Sequence, residues 1–460
     1  MGIDPLLMAN PPVNLEQLVQ EVLAESELAR AAAIQRRWQA YTGDWLLKAM
    51  GDPSRPEREV VVAANKARVI VDKGVSFLVG RSVRFEIDAN LDTVTESEAW
   101  LEAAWQANQK DLLLHQLALS GAIAGHAFLR VIPEHPSTAP FPRLVLLDPA
   151  TVSPQYSDDD LLDVYGWVVQ WNAADRAGKP LVRRQRFVRA DSGEWWDIVQ
   201  ERCYLGQQVW VEEGRERWPY PVSPIAHCQN LPRPHEFWGE SDLPDDLLAL
   251  ILARNANLSD WRRVQRFHGF PKIWGRGFGG TVQAIELGVD KVVVLPGQDA
   301  ELNVLQAPGD SQGAMALDRV LDDAIHEIAR IPQVATGKLE SAGNLSGLAL
   351  EILYGPLIEK TRTKQLLYGQ LLAHASRCLL LAGRGQDVPV RVVWPETLPH
   401  DDQGAAQTAL IWQQLGVSRQ TILRRLGFDP AQEAQARAED EHDLGQEAAR
   451  AFNAGIGLEP

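Results

Sequence analysis

From Gly347 to Gly383 the chain reads GLALEILYGPLIEKTRTKQLLYGQLLAHASRCLLLAG, a run rich in helix formers with a single proline inside it. At ~1.5 Å per residue such a helix is about 55 Å long, more than a small globular core needs. Gly355 and Pro356 predict a kink, because proline removes one backbone hydrogen bond. The segment upstream is as constraining. Leu317, Val320, Leu321, Ala324, Ile325 and Ile328 recur at helical spacing as one apolar stripe, opposite Asp318, Arg319, Asp322, Asp323 and Glu327. One chain has too little of its own surface to bury faces this long. The expectation is a homo-oligomer, with Leu317, Val320, Leu321, Ala324 and Ile325 packing partly between subunits.

Pro332 stops that helix, and the loop PQVATGKLESAGNLS separates it from the long one. Gly337, Gly343 and Gly347 allow backbone conformations that let a loop move, while the flanking helices fix where it starts and ends.

Elsewhere the pattern alternates between helix and strand. Residues 14–48 have helical spacing at Leu18, Val22 and Leu23, and the prolines around Ser54 break the chain into a loop. A helix from Asn65 ends near Gly80, followed by strand alternation at Val83, Phe85 and Ile87. One helix from Glu96 to Gly125 is expected to lead into the strand HAFLRVIP. From Arg143 to Val222, short apolar runs between turn signals predict a β-meander, with Trp167, Trp195, Trp196 and Trp210 suited to pleated surfaces. A helix capped by Ser241 or Asp242 runs to about Phe267. Residues 270–309 form a Gly- and Pro-punctuated insert with a β-like core at Lys291 to Leu295. The C-terminal part holds the strand VPVRVVW, a helix from His400 to Leu415, a helix capped by Ser418 and closed by Gly427, and a charged tail from Ala431 to Ala451. The fold class is α+β, mainly helical, with a β-rich subdomain.

Composition narrows the function. The 460 residues are 45% hydrophobic, enough for real cores. The longest apolar stretch, Leu112 to Leu129, is interrupted by His115, Gln116 and His126, so no membrane span or membrane partner is expected. The N-terminus lacks a basic region leading into an apolar one, and Leu6 stands where a myristoylation signal needs Ser or Thr. Cys203, Cys228 and Cys378 are scattered without CxxC spacing, which argues against disulfides and zinc and fits a reducing compartment. The net charge of −16 works against gripping DNA, whose affinity comes from Lys and Arg neutralising phosphates.

No chemical motif survives inspection. Gly275, Gly277 and Gly280 satisfy GxGxxG, but a long helix precedes them and only a few residues follow before Gly288, where a dinucleotide site needs a βαβ unit. A flexible turn is the plainer reading. Gly337-Lys338 lacks the Ser or Thr and the upstream Gly of a phosphate loop. The clusters Asp158-Asp159-Asp160, Asp245-Asp246 and Asp401-Asp402 sit at turns or helix starts, where carboxylates are favoured without a metal. His126 and His326 read as packed or surface residues, and no Ser lies in GxSxG. Arg262, Arg263 and Arg266 read as a solvated helix face or as a contact to an acidic subunit or to nucleic acid. No catalytic residue, cofactor or metal site is expected.

The order of several segments nevertheless resembles a known family. ANKARVIVDKGVSFLVGRSVRF, GAIAGHAFLRV, LVLLDPATVSPQYS, NLPRPHEFWGESDLPDDL and above all IPQVATGKLESAGNLSGLALEILYGPLIEKTRTKQ are similar to a portal protein of tailed bacteriophages, of the type found in siphophages. The likeness runs diffusely over residues 62–445, and the Gly275 to Gly280 stretch has no counterpart in it. The resemblance implies a ring of about twelve subunits at one capsid vertex. Double-stranded DNA would be packaged and ejected through its channel, and the ring would serve as the head-tail connector. Expected partners are a packaging ATPase (the terminase large subunit) and capsid, scaffold and head-tail adaptor proteins.

It further implies a wing at 1–241, stem helices at 242–269 and 310–331, a clip at 270–309, a tunnel loop at 332–346, a kinked wing helix at 347–383 and a crown at 384–460. In the loop, Lys338, Glu340, Ser341 and Asn344 would touch DNA, between hinges at Pro332, Gly337, Gly343 and Gly347. Rival readings are a nucleotide-binding enzyme using residues 275–280 and a helical adaptor that bridges proteins only.

Overall fold

A computed structural model describes residues 15–44, 62–87, 94–204, 209–269, 272–276, 301–305, 311–336, 347–395, 409–425 and 433. Helix α1 (Leu15–Thr42) comes first. Helix α2 (Lys66–Val79) starts where the Asn65 side chain accepts from the Arg68 backbone N–H, so capping fixes its first turn where the sequence indicates. Its apolar face, including Ile70, Val71, Val75 and Leu78, is buried, and strand β1 (Arg84–Ile87) follows.

The run expected as one helix from Glu96 to Gly125 is two helices, α3 (Val94–Ala107) and α4 (Lys110–Ala124). Asn108 causes the break. Its side-chain amide donates to the carbonyls of Ala104 and Pro142, each at 2.9 Å, and its Oδ1 accepts from the Leu144 N–H at 2.8 Å. Gln109 then takes a left-handed φ of 56°. A short polar side chain that satisfies backbone groups competes with the helix, and here it outweighs continuous apolar periodicity.

Strands β2 (His126–Ile132) and β3 (Arg143–Leu147) pair antiparallel, and β9 (Ile225–Gln229) joins on the other side of β2. The expected meander is realised as a five-stranded antiparallel sheet in sequence order: β4 (Val152–Tyr156), β5 (Val164–Ala174), β6 (Pro180–Arg189), β7 (Trp196–Tyr204) and β8 (Val211–Trp218). Register puts Trp167 opposite Phe187, Phe187 opposite Ile198 and, two positions along β7, Trp196 opposite Trp218, so buried side chains run across β5 to β8. Alternation places these residues on one face.

Helix α5 (Asp245–Gly269) is followed by the antiparallel pair β10 (Lys272–Arg276) and β11 (Glu301–Leu305). The expected β-like core at Lys291 to Leu295 lies outside the described residues. Helix α6 (Ser311–Ala329) and helix α7 (Gly347–Arg384) follow, and α7 continues through Gly355 and Pro356. Strand β12 (Val390–Val393) returns to pair with β1, joining segments some three hundred residues apart. Helix α8 (Arg419–Arg425) is capped by Ser418, whose Oγ accepts from the Thr421 N–H. Of the helix expected from His400 to Leu415, residues 409–414 are described and helical.

The chain divides into two units, residues 1–340 with 353–395 and residues 341–352 with 396–460. The first holds all four described sheets and a continuous core to which α2, α4, β2 and α7 all contribute. Helix α7 supplies Tyr368, Leu371, Leu372, Ala375, Cys378 and Leu379, all buried. Gly121 of α4 makes room for the Tyr368 side chain of α7, since a Cβ there would collide with its hydroxyl. No helix among the described residues is long and apolar enough to cross a membrane.

Candidate functional site

The site is the ground from which the loop after α6 springs. Helix α6 ends in a reversal centred on Arg330, whose φ is 56°. The Arg330 N–H donates to the Glu327 carbonyl and the Ile331 N–H to the His326 carbonyl, both at 3.1 Å. This pair of bonds ends a helix on a left-handed residue, here Arg where Gly is commoner. The His326 side chain tightens the reversal. Its Nδ1 lies 2.8 Å from the Ile331 carbonyl and carries the proton, leaving Nε2 to accept from Lys66 Nζ at 3.1 Å. Pro332 then leads into a 3₁₀ turn at Gln333–Thr336, in which the Ala335 N–H donates to the Pro332 carbonyl at 2.9 Å. Ala335 is buried, so the first residues of the expected loop are folded down onto the protein.

Below this reversal lie buried charges. Asp322, opposite the apolar stripe, is buried, with Lys66 Nζ at 2.7 Å and Arg254 Nη1 at 3.5 Å, and Asp318 meets Arg254 Nε at 2.9 Å. The polar side of α6 therefore faces inward in part. A carboxylate can be buried there because cations from α2 and α5 reach it.

Asp242 is a correction. Rather than capping α5, its side chain is fully buried, with Lys364 Nζ 2.6 Å from Oδ2 and Lys360 Nζ 3.3 Å from Oδ1. Asn230 donates to it at 3.1 Å and accepts from the Tyr368 hydroxyl at 3.2 Å. Burial pushes the Asp242 carboxyl up, but Lys360 and Lys364 outweigh it and hold the group down at about 2. Burial brings the Lys364 ammonium down to about 8 against the pull of Asp242. The aspartate is charged at neutral pH. Lys360 also donates to the Ala329 carbonyl at 3.0 Å, so one ammonium joins the approach to α5, the end of α6 and the body of α7.

Of the stripe expected to pack between subunits, Ile325 is fully buried in this chain, Leu321 and Ala324 are half-buried, and Leu317 and Val320 are 48% and 64% exposed. Met315 and Ile328 are exposed as well. Gly347 is the first residue of α7. Gly337, Lys338, Glu340, Ser341, Gly343 and Asn344 lie outside the described residues. Sequence reasoning missed Lys66, Asp242, Arg254, Lys360 and Lys364. The available signal was two lysines four apart on the mainly apolar α7, with a buried aspartate as their answer.

The family of phage portal proteins described as SPP1 Gp6-like matches residues 26–447. The chain belongs to this portal family. Its place is the portal vertex of a virion capsid, where it serves as a structural protein within a capsid-assembled oligomer. No curated protein matches the chain. Among solved structures, a chain of "Virion of native gene transfer agent (GTA) particle" is similar over 84% of this chain and 99% of its own, with 14% identity and a TM-score of 0.44.

Portal proteins form a structural family, and the other motifs of the portal chain take the following places in the fold. Gly275 and Arg276 lie on β10, with Gly275 opposite Leu302 in an antiparallel ladder, where a dinucleotide fold needs a parallel βαβ unit. Asp160 accepts from the Leu162 N–H and Asp159 from the Ser157 hydroxyl, the turn roles their positions suggest. No group of His, Cys, Asp and Glu suited to a metal occurs among the described residues. His126 stacks on Phe128 and Phe237, and its Nε2 meets His227 Nδ1 at 3.1 Å. His227 also lines a cavity of about 300 Å³ with Trp167, Ser223 and His374.

Proposed function

We propose that the portal chain assembles as a closed ring of about twelve copies whose channel passes double-stranded DNA during packaging and ejection, and which then connects head to tail. In this reading residues 1–241 are the wing, 242–269 and 310–331 the stem helices, 270–309 the clip, 332–346 the tunnel loop, 347–383 the wing helix and 384–460 the crown. A packaging ATPase, the terminase large subunit, supplies the energy. Capsid, scaffold and head-tail adaptor proteins are the other partners, met first in the host cytoplasm. The chain itself turns over no substrate.

One observation carries the reading. Helix α6 is held on its own chain by its charged side, through Arg254 and Lys66, while Met315, Leu317, Val320 and Ile328 face outward. A helix anchored by its polar face offers its apolar face to something else, and in a capsid-assembled oligomer that is the next copy. Light scattering on the purified protein tests this: a ring of about twelve 51.0 kDa chains scatters at roughly 600 kDa. Val320 is 64% exposed, so Val320→Asp disturbs little within the chain. It should leave the monomer folded, with unchanged circular dichroism, and abolish the large species; a variant that still assembles would rule out α6 as the subunit contact. For the missing catalysis, ATP turnover by the chain alone that is lost on changing Lys338 would overturn the conduit reading.

A further inference from the structure

We infer that Lys360 is the positioning residue of the loop's base: its single ammonium fastens the C-terminal end of α6 to α7 and to Asp242, so that the chain leaves the α6 reversal from a point fixed to α7. The inference rests on reading 332–346 as the tunnel loop and goes beyond it by naming what sets the loop's starting point.

The argument begins with the carbonyls that a helix end leaves unpaired. In the Arg330 reversal the His326 and Glu327 carbonyls are taken by the Ile331 and Arg330 N–H groups, and the Ala329 carbonyl is taken by Lys360 Nζ at 3.0 Å. Lys360 and Ala329 are both buried, so water cannot replace the bond. A cation at a helix C-terminus is also favoured by the aligned peptide dipoles. Three residues further on, Pro332 begins the turn that leads into the loop. Lys66 of α2 braces the same reversal through His326 of α6, but α7 is linked to it through Lys360.

Asp242 does not need Lys360 for charge balance, because Lys364 already sits 2.6 Å away. A second lysine on one buried carboxylate leaves a surplus positive charge, which burial opposes. The arrangement makes sense if the second lysine has another task, and the Ala329 carbonyl is that task.

The test compares Lys360→Met with Lys364→Met in the full chain by hydrogen exchange of backbone amides. Both variants take one ammonium from Asp242, and only the first releases α6. Lys360→Met should speed exchange at the Arg330, Ile331 and Ala335 amides by about tenfold while leaving strands β5 to β7 unchanged. Lys364→Met should leave those three amides as they were. Equal effects from the two variants, or no effect from either, overturn the inference. If Lys360→Met does not fold, Lys360→Gln, whose amide is too short to span both partners, decides by the same comparison. DNA packaging by rings of the variant separates this inference from the reading beneath it. A loosened base with unaltered packaging leaves the anchor standing and removes the loop from the DNA path, whereas unchanged exchange removes the anchor alone.

Discussion

His227 and Asp242 give the portal chain two separate responses to acid. Burial lowers the His227 imidazole to about 4, with His374 adding a smaller push in the same direction, and burial also holds His126 well below its ordinary value. An imidazole whose folded pKa lies below its ordinary value binds its proton more readily in the unfolded chain. Its contribution is complete above the ordinary value near 6.5 and is lost as pH falls from there to about 4. For His227, partly open to the cavity, the loss should be on the order of 2 kcal/mol. Asp242 acts later: held at about 2, it contributes fully above the ordinary carboxylate value and loses its contribution between about pH 4 and 2. Urea midpoints at pH 7, 5 and 4 should fall in step with the histidine window, and a His126→Phe, His227→Phe double variant should fall much less. An equal fall in both proteins would place the acid sensitivity elsewhere. None of this was readable beforehand. A histidine in sequence carries no sign of the aromatic box that buries it, and Asp242, beside Ser241 and ahead of Pro244, has the local pattern of a helix cap.

Among the elements, local signals worked where one side chain decides the outcome. Asn65 and Ser418 start helices where capping chemistry puts them, and the turn residues of 143–222 mark out a true meander. They failed where the deciding partner is distant in sequence. Asn108 breaks a helix by bonding Pro142 and Leu144, and β1 is a strand because β12 returns to it. Periodicity showed which residues of α6 share a face, but not which face turns inward. That depended on Arg254 and Lys66, which belong to other helices. The crossing of α4 and α7 gives an element-scale test. Gly121→Ala places a methyl against the Tyr368 hydroxyl, which bonds Asn230 beside Asp242. The variant should lose about 1–3 kcal/mol in denaturant unfolding, as overpacked cores do. Adding Tyr368→Phe should recover part of that loss, because the colliding atom is gone; no recovery would mean that the two helices are not in close contact there.

For the whole molecule, the net charge of −16 and the composition of the loop bear on DNA together. Residues 332–346 hold one lysine and one glutamate, so in the proposed channel each copy would add almost no net charge through this segment. If the loop meets DNA as proposed, contacts there should be brief, because one lysine opposed by Glu340 cannot neutralise many phosphates. Glu340→Lys would add two positive charges per copy, about 24 in a ring of twelve, and should slow packaging at low salt with recovery at moderate salt. Unaltered packaging at both would place the loop away from the DNA. The outward side of α6 has a further consequence, for thermodynamics. When the surface that completes a helix lies on another copy, mass action enters the folding equilibrium, and melting becomes a property of the solution as well as of the chain. Diluting the protein should lower the temperature at which α6 unfolds before it affects the five-stranded sheet, and Val320→Asp should melt at one temperature whatever its concentration.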